Sequence, residues 1–135
     1  MPKNRAPKPG AQWYLPRNEF RYVVAFCLTY YDLKTKLMEM GSRSRELDGM
    51  PHGTTVSNPT ESEAIKRLAI ESKIRIIEDA VRECAGEVMY KGMLSAITEE
   101  HMTFPQLQMM YDLPLGKNQF WMLKRKIYWR IAKTL

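Results

Sequence analysis

Lys117, Lys124, Arg125, Lys126, Arg130 and Lys133 place six basic side chains in the last nineteen residues, with no acidic residue among them. Phe120, Trp121, Tyr128 and Trp129 lie between them. Cations along an aromatic segment suit a polyanion, because ammonium and guanidinium groups hold phosphates while neighbouring amides read base edges. The chain has 21 basic and 15 acidic residues, a net charge of +6, so residues 1–116 sum to zero and all the net charge is terminal.

Nothing else in the chain has the spacing of a reactive site. Cys27 and Cys84 fall inside apolar helical patterns without CxxC spacing and are expected to be buried free thiols. His52 and His101 stand far apart with no ligand spacing, and no Ser, Cys or Lys occupies a nucleophile motif. The expectation is a non-enzyme with no catalytic residue, no bound metal and no cofactor. No apolar run approaches the roughly 20 residues that cross a bilayer, and no signal-type stretch follows Pro2-Lys3-Asn4-Arg5, so a cytoplasmic protein with no membrane partner is expected.

The elements that must position the basic segment are helical. At 135 residues and 44% apolar, the chain suits one domain with one modest core. Residues 1–17 hold four prolines and four basic residues with no acid, the composition of a flexible arm. Lys3, Arg5 and Lys8 are its candidate nucleic-acid contacts. From Glu19 to about Met40, Phe20, Val23, Val24, Cys27, Tyr30, Tyr31, Leu37 and Met38 recur at helical spacing and predict one long helix. Ser42 to Pro59, rich in glycine, serine, threonine and proline, reads as a surface loop. Thr60 and Glu63 form a capping box that predicts a helix start at Glu61.

Along that second long helix, Ile70, Ile74, Ile77, Val81, Cys84 and Val88 alternate four and three apart, a seam for another helix in this chain or in a second copy. Gly86 is expected to end or kink it, with a short helix from Val88 to Ile97. Phe104 to Tyr111 predicts a brief helix, Leu113-Pro114-Leu115-Gly116 a turn, and Lys117 or Asn118 the start of the last helix. Residues 18–135 thus read as a single all-α domain. It has a helical hairpin of two long helices (18–97) plus a C-terminal helix-turn-helix-like unit (104–135) with a basic recognition helix.

At about 100° per residue, Leu123, Ile127, Phe120, Ile131, Leu135, Tyr128, Trp121 and Ala132 share one arc of the last helix, which is expected to bury. Lys124 is on that side too, its stem snorkelling. The opposite arc carries Asn118, Gln119, Met122, Arg125, Lys126, Trp129, Arg130 and Lys133, with Lys117 at the helix start. Asn118 and Gln119 are placed for adenine, Arg125 for guanine or phosphate, and Lys126, Arg130 and Lys133 for phosphates. Five neutralised phosphates would give a log–log salt slope of roughly −4.5.

In its order of parts the chain resembles the RinA-type transcriptional activators of phages and prophages of Gram-positive bacteria, in a short variant. The likeness is carried by Tyr14-Leu15-Pro16-Arg17 before a helix with Tyr22, Tyr30 and Tyr31, by Asp48-Gly49-Met50-Pro51-His52-Gly53, and by Ser57-Asn58-Pro59-Thr60 before Ala64-Ile65-Lys66. It closes on the aromatic basic segment ending Ile131-Ala132-Lys133-Thr134-Leu135. The chain departs from the family where many members carry a serine-led turn before the last helix, having Leu113-Pro114-Leu115-Gly116-Lys117 instead. The resemblance implies a sequence-specific activator of late genes that binds double-stranded DNA and works with host RNA polymerase in the bacterial cytoplasm. Its rivals are an interaction protein whose basic helix meets an acidic surface of polymerase or of a phage assembly component, and an RNA-binding regulator stacking bases on Trp121 and Trp129. A homodimer is a candidate assembly.

Overall fold

The computed structural model describes residues 8–48 and 58–135, with side chains described for 8–41 and 61–135. The described residues are all-helical, with no strand among them. Five helices follow in order: α1 (Arg17–Leu28), α2 (Tyr30–Asp48), α3 (Asn58–Thr98), α4 (Phe104–Tyr111) and α5 (Lys117–Thr134).

The single first helix expected from Glu19 to Met40 is two helices. The break falls at Thr29, whose backbone N–H and Oγ1 both donate to the Phe26 carbonyl, at 3.1 and 2.6 Å. A threonine that satisfies the preceding turn in this way competes with the regular ladder and bends the chain. Phe20, Val23 and Cys27 of α1 and Tyr30 and Leu33 of α2 remain on the buried side across the break.

Two expected boundaries also move. α2 runs to Asp48, through Gly41, Ser42 and Ser44, so both ends of the segment read as a loop from Ser42 to Pro59 are helical, and residues 49–57 lie outside the described residues. A mid-helix glycine costs about 1 kcal/mol, too little by itself to end a helix. α3 begins at Asn58, which puts Pro59 in the first turn, where its missing N–H costs nothing, and Thr60 inside the helix rather than at the cap.

α3 keeps helical geometry up to Gly86, where φ is 78° and ψ 173°. Ile74, Ile77, Ala80, Val81 and Ala85 are buried before it, and Met93, Ala96 and Ile97 after it. The seam does not survive the kink. Val88, expected to continue it, is 86% exposed because the left-handed φ at Gly86 resets the helical phase. α2 pairs with α3 through Tyr30 Oη, which donates to Glu78 Oε2 at 2.5 Å, and through Lys34, whose Nζ is 3.3 Å from the same oxygen.

α4 opens on a Thr103–Gln106 capping box: the Gln106 backbone N–H reaches Thr103 Oγ1 at 3.4 Å and the Thr103 N–H reaches Gln106 Oε1 at 2.9 Å. It ends at Asp112 in the left-handed region, φ 50°. The turn into α5 then folds back, with the Leu115 N–H on the Leu113 carbonyl at 2.9 Å and Gln108 Nε2 donating to the Leu115 carbonyl at 3.0 Å. α5 packs on α1 and α3. Phe20 meets Tyr128 edge to face at 5.5 Å, and Ile127 and Ile131 are fully buried.

The body starts earlier than residue 18. Trp13 and Leu15, assigned by composition to the arm, pack onto it, and Leu15 is 4% exposed. Lys8 is exposed, whereas Lys3 and Arg5 lie outside the described residues.

Candidate nucleic-acid interface

The face of α5 is built from its helical phase and from the groups that hold its two ends. Gly116 is the N-cap, and its N–H donates to Gln119 Oε1 at 3.1 Å, so the Gln119 carbonyl oxygen closes the helix start while the residue itself stays exposed. Lys117 and Asn118, beside it, are exposed, and Met122 is 48% exposed one turn on. Arg125 and Lys126 are half-buried, and Lys133 is exposed in the last turn. At about 100° per residue, Asn118, Met122, Arg125, Lys126, Trp129 and Lys133 fall within roughly one 100° arc. Lys117, the first residue of the helix, lies about 130° from the centre of that arc, at the phase of the buried side.

Arg130 does not belong to that free face. Its Nε donates to Glu83 Oε2 on α3 at 2.7 Å and its Nη1 to Thr134 Oγ1 at 3.0 Å. The Glu83 hydrogen bond, then its charge, raises the Arg130 pKa further. Trp129 is not the exposed indole that was expected either. The ring of Trp13 meets it edge to face at 5.0 Å, and Lys126 Nζ lies 5.4 Å from the Trp13 ring. Lys133 Nζ lies 5.1 Å from the Trp129 ring. Two cations are thereby held along an indole pair, a pre-ordering that lowers the entropy lost when they meet an anion.

The apolar arc buries largely as expected, with two corrections. Leu135 is exposed at the chain end, and Trp121, Leu123 and Ala132 are half-buried. Lys124 does not snorkel: it is 7% exposed, with Nζ 5.0 Å from the Trp121 ring and 6.0 Å from that of Phe120. Burial pushes its pKa down to about 8, opposed by the nearby Cys27. Cys27 is itself buried, which pushes its thiol up to about 12. Cys84 is half-buried and also raised, chiefly by burial. Both cysteines are free thiols.

Among the described residues, Lys117, Arg125, Lys126 and Lys133 make no ion pair with an acidic side chain. Elsewhere charges pair with neighbours, as in Arg67 with Glu71 at 3.2 Å and Arg82 with Glu87 at 2.9 Å. Among the described residues no three His, Cys, Asp or Glu side chains converge as a metal site. No helix among them is long and apolar enough to cross a membrane. Sequence reasoning missed Trp13, although Trp13-Tyr14-Leu15 is an apolar run directly before a helix.

The chain matches no family model, no curated protein and no solved structure.

Proposed function

We propose that this protein is a sequence-specific regulator of transcription that binds double-stranded DNA through α5, a phage or prophage late-gene activator as its resemblance implies. The supporting observation is the set Lys117, Arg125, Lys126 and Lys133, cations without acidic partners on a helix whose other side is locked into the core. Asn118 reads a base edge, Arg125 a guanine edge together with its phosphate, and Lys117, Lys126 and Lys133 hold phosphates. Host RNA polymerase is the partner for activation, and a second copy would read a second half-site about one helical turn away.

With Arg130 committed to Glu83, about four phosphates are neutralised, so the expected log–log salt slope softens from about −4.5 to about −3.6. Fluorescence anisotropy with labelled duplex DNA over a salt series tests this. No binding at low salt, or a flat slope, sinks the proposal.

A second reading is favoured by Met109, 90% exposed, Met110, 64%, and Met122, 48%. Exposed methionines suit the apolar part of a protein surface, since the thioether moulds to irregular contacts, and the cations of α5 suit its acidic part. Co-purification with RNA polymerase that survives nuclease treatment would favour it over direct DNA contact. RNA stacking has less support, because Trp129 is engaged by Trp13 and Trp121 is half-buried.

A further inference from the structure

A cavity of ≈290 Å³ opens where α1, α3, α4 and α5 meet. Its walls are apolar and aromatic: Val24 and Leu28 from α1, Ile97 from α3, Phe104 from α4, and Phe120 and Tyr128 from α5. Lys124 also lines it, the one lysine among its lining residues. Lys124 Nζ lies beside the Phe120 and Trp121 rings, 6.0 and 5.0 Å from their centres, and both rings line the same space. Glu99, Glu100 and His101, on the connection from α3 to α4, form the polar part of the lining.

That combination selects a ligand class. The volume stands at the lower end of small-molecule pockets, roughly 300–1,000 Å³, so the occupant has one or two rings. Aromatic walls favour a flat apolar body through offset and edge-to-face contact. A buried ammonium favours an anionic end, since a charge-assisted hydrogen bond in a low-dielectric site is about twice as strong as a neutral one. The carboxylates of Glu99 and Glu100 disfavour a multiply charged anion such as free phosphate, whereas a single carboxylate on an apolar ring can pass them.

We infer that this pocket binds a small planar aromatic carboxylate, with the ring among Phe104, Phe120 and Tyr128 and the carboxylate on the Lys124 ammonium. Because Phe120, Trp121, Lys124 and Tyr128 all belong to α5, the ligand braces the helix that carries the free cations. Binding to the pocket stands independently of what α5 contacts on its other face.

The experiment is calorimetric titration of the full chain at neutral pH with 1-naphthoate and with its neutral isostere 1-naphthamide. The wild-type protein is expected to bind naphthoate about tenfold or more tightly than naphthamide, the ratio that one charge-assisted bond supplies. In Lys124→Met, which keeps an unbranched apolar stem, naphthoate affinity is expected to drop to within about threefold of naphthamide, whose own affinity stays the same. Equal affinities on the wild-type chain, no binding by either probe, or a naphthoate preference that survives Lys124→Met would each overturn the inference. The wild-type comparison decides the matter alone if the variant does not fold.

Discussion

Arg130 Nε lies 2.7 Å from Glu83 Oε2, so one cation of the basic helix is spent on holding α5 against α3. The contact divides α5 by function as well as by polarity. Arg130 and the buried arc fix the helix to the body, and the four cations without acidic partners stay available to solvent. If α5 binds DNA as proposed, it needs both sets to grip a polyanion without peeling from its domain. The pair is half-exposed on each side, so its value lies in orientation more than in stability.

Arg125→Ala and Arg130→Ala should therefore separate in duplex binding. Arg125→Ala removes a free cation and should lower both the preference for a selected site over random duplex and the magnitude of the salt slope by about 0.9. Arg130→Ala should leave the slope unchanged, with any loss of affinity the same for all sequences. Lys133→Ala should weaken every sequence alike and reduce the slope as Arg125→Ala does. Anisotropy titrations of the three variants at matched salt give the comparison. Identical slopes for Arg125→Ala and Arg130→Ala would place both residues in the same role, against the geometry.

Gly92 sits where α3 meets the turn between α4 and α5. A Cβ built there would lie 2.5 Å from Leu113 Cδ2 and 3.2 Å from Tyr111 Cβ. Leu113 is 4% exposed and has nowhere open to retreat, so Gly92→Ala is expected to cost about 1–3 kcal/mol through overpacking. Leu113→Ala alone should cost about 2–5 kcal/mol through the cavity it leaves. The double variant should cost clearly less than the sum, because each change relieves the other. Urea denaturation of the four proteins measures the coupling, and strict additivity would mean the two residues do not touch.

Much of this fold was legible in the sequence, and the misses share a cause. Apolar periodicity located the helical segments, though it read α1 and α2 as one helix; Gly86 announced the kink, and the Leu113 to Gly116 segment announced the turn. What periodicity could not locate was where a local hydrogen bond competes with the helix, as at Thr29, or where a helix runs on through a poor helix former, as at Gly41. The basic face was visible as a face. Which of its members were already taken was not, since Glu83 lies 47 positions before Arg130 and Trp13 lies 116 before Trp129. Long-range partners leave no trace in spacing along one helix. The cavity beside Lys124 was hidden for the same reason: four helices contribute its walls.

Trp13 holds a left-handed backbone, φ 64°, that costs a non-glycine residue roughly 1–2 kcal/mol. Its ring contact with Trp129 at 5.0 Å offsets that cost. Trp13→Ala keeps the backbone penalty and loses the ring, whereas Trp13→Gly loses the ring and relieves the penalty. The alanine variant should thus be the less stable of the two by about 1 kcal/mol, the reverse of the usual ranking of alanine and glycine. Both should red-shift the tryptophan emission as water reaches Trp129. Thermal melts that rank alanine above glycine would mean that the left-handed turn is not kept in solution.

Lys124 makes stability depend on pH in a direction opposite to the cysteines. Its folded pKa of about 8 lies below the ordinary lysine value of 10.5, so between these values the unfolded chain binds the proton and the folded one releases it. Stability therefore rises with pH through that window. Below about pH 8 the buried charge is carried at full cost, on the order of 3 kcal/mol. Cys27 acts the other way: its folded value of about 12 against 9.0 means that stability falls as pH climbs from about 9, where the unfolded thiol ionises and the folded one does not. Subtracting the Lys124→Met variant cancels most of the cysteine contribution. The stability gap between variant and wild type should narrow by about 1 kcal/mol from pH 7 to pH 9, as the wild-type lysine becomes neutral in place. Urea unfolding of both proteins at the two pH values measures it. A gap that stays constant would mean that Lys124 keeps its charge at an ordinary affinity, and so is solvated in the folded protein.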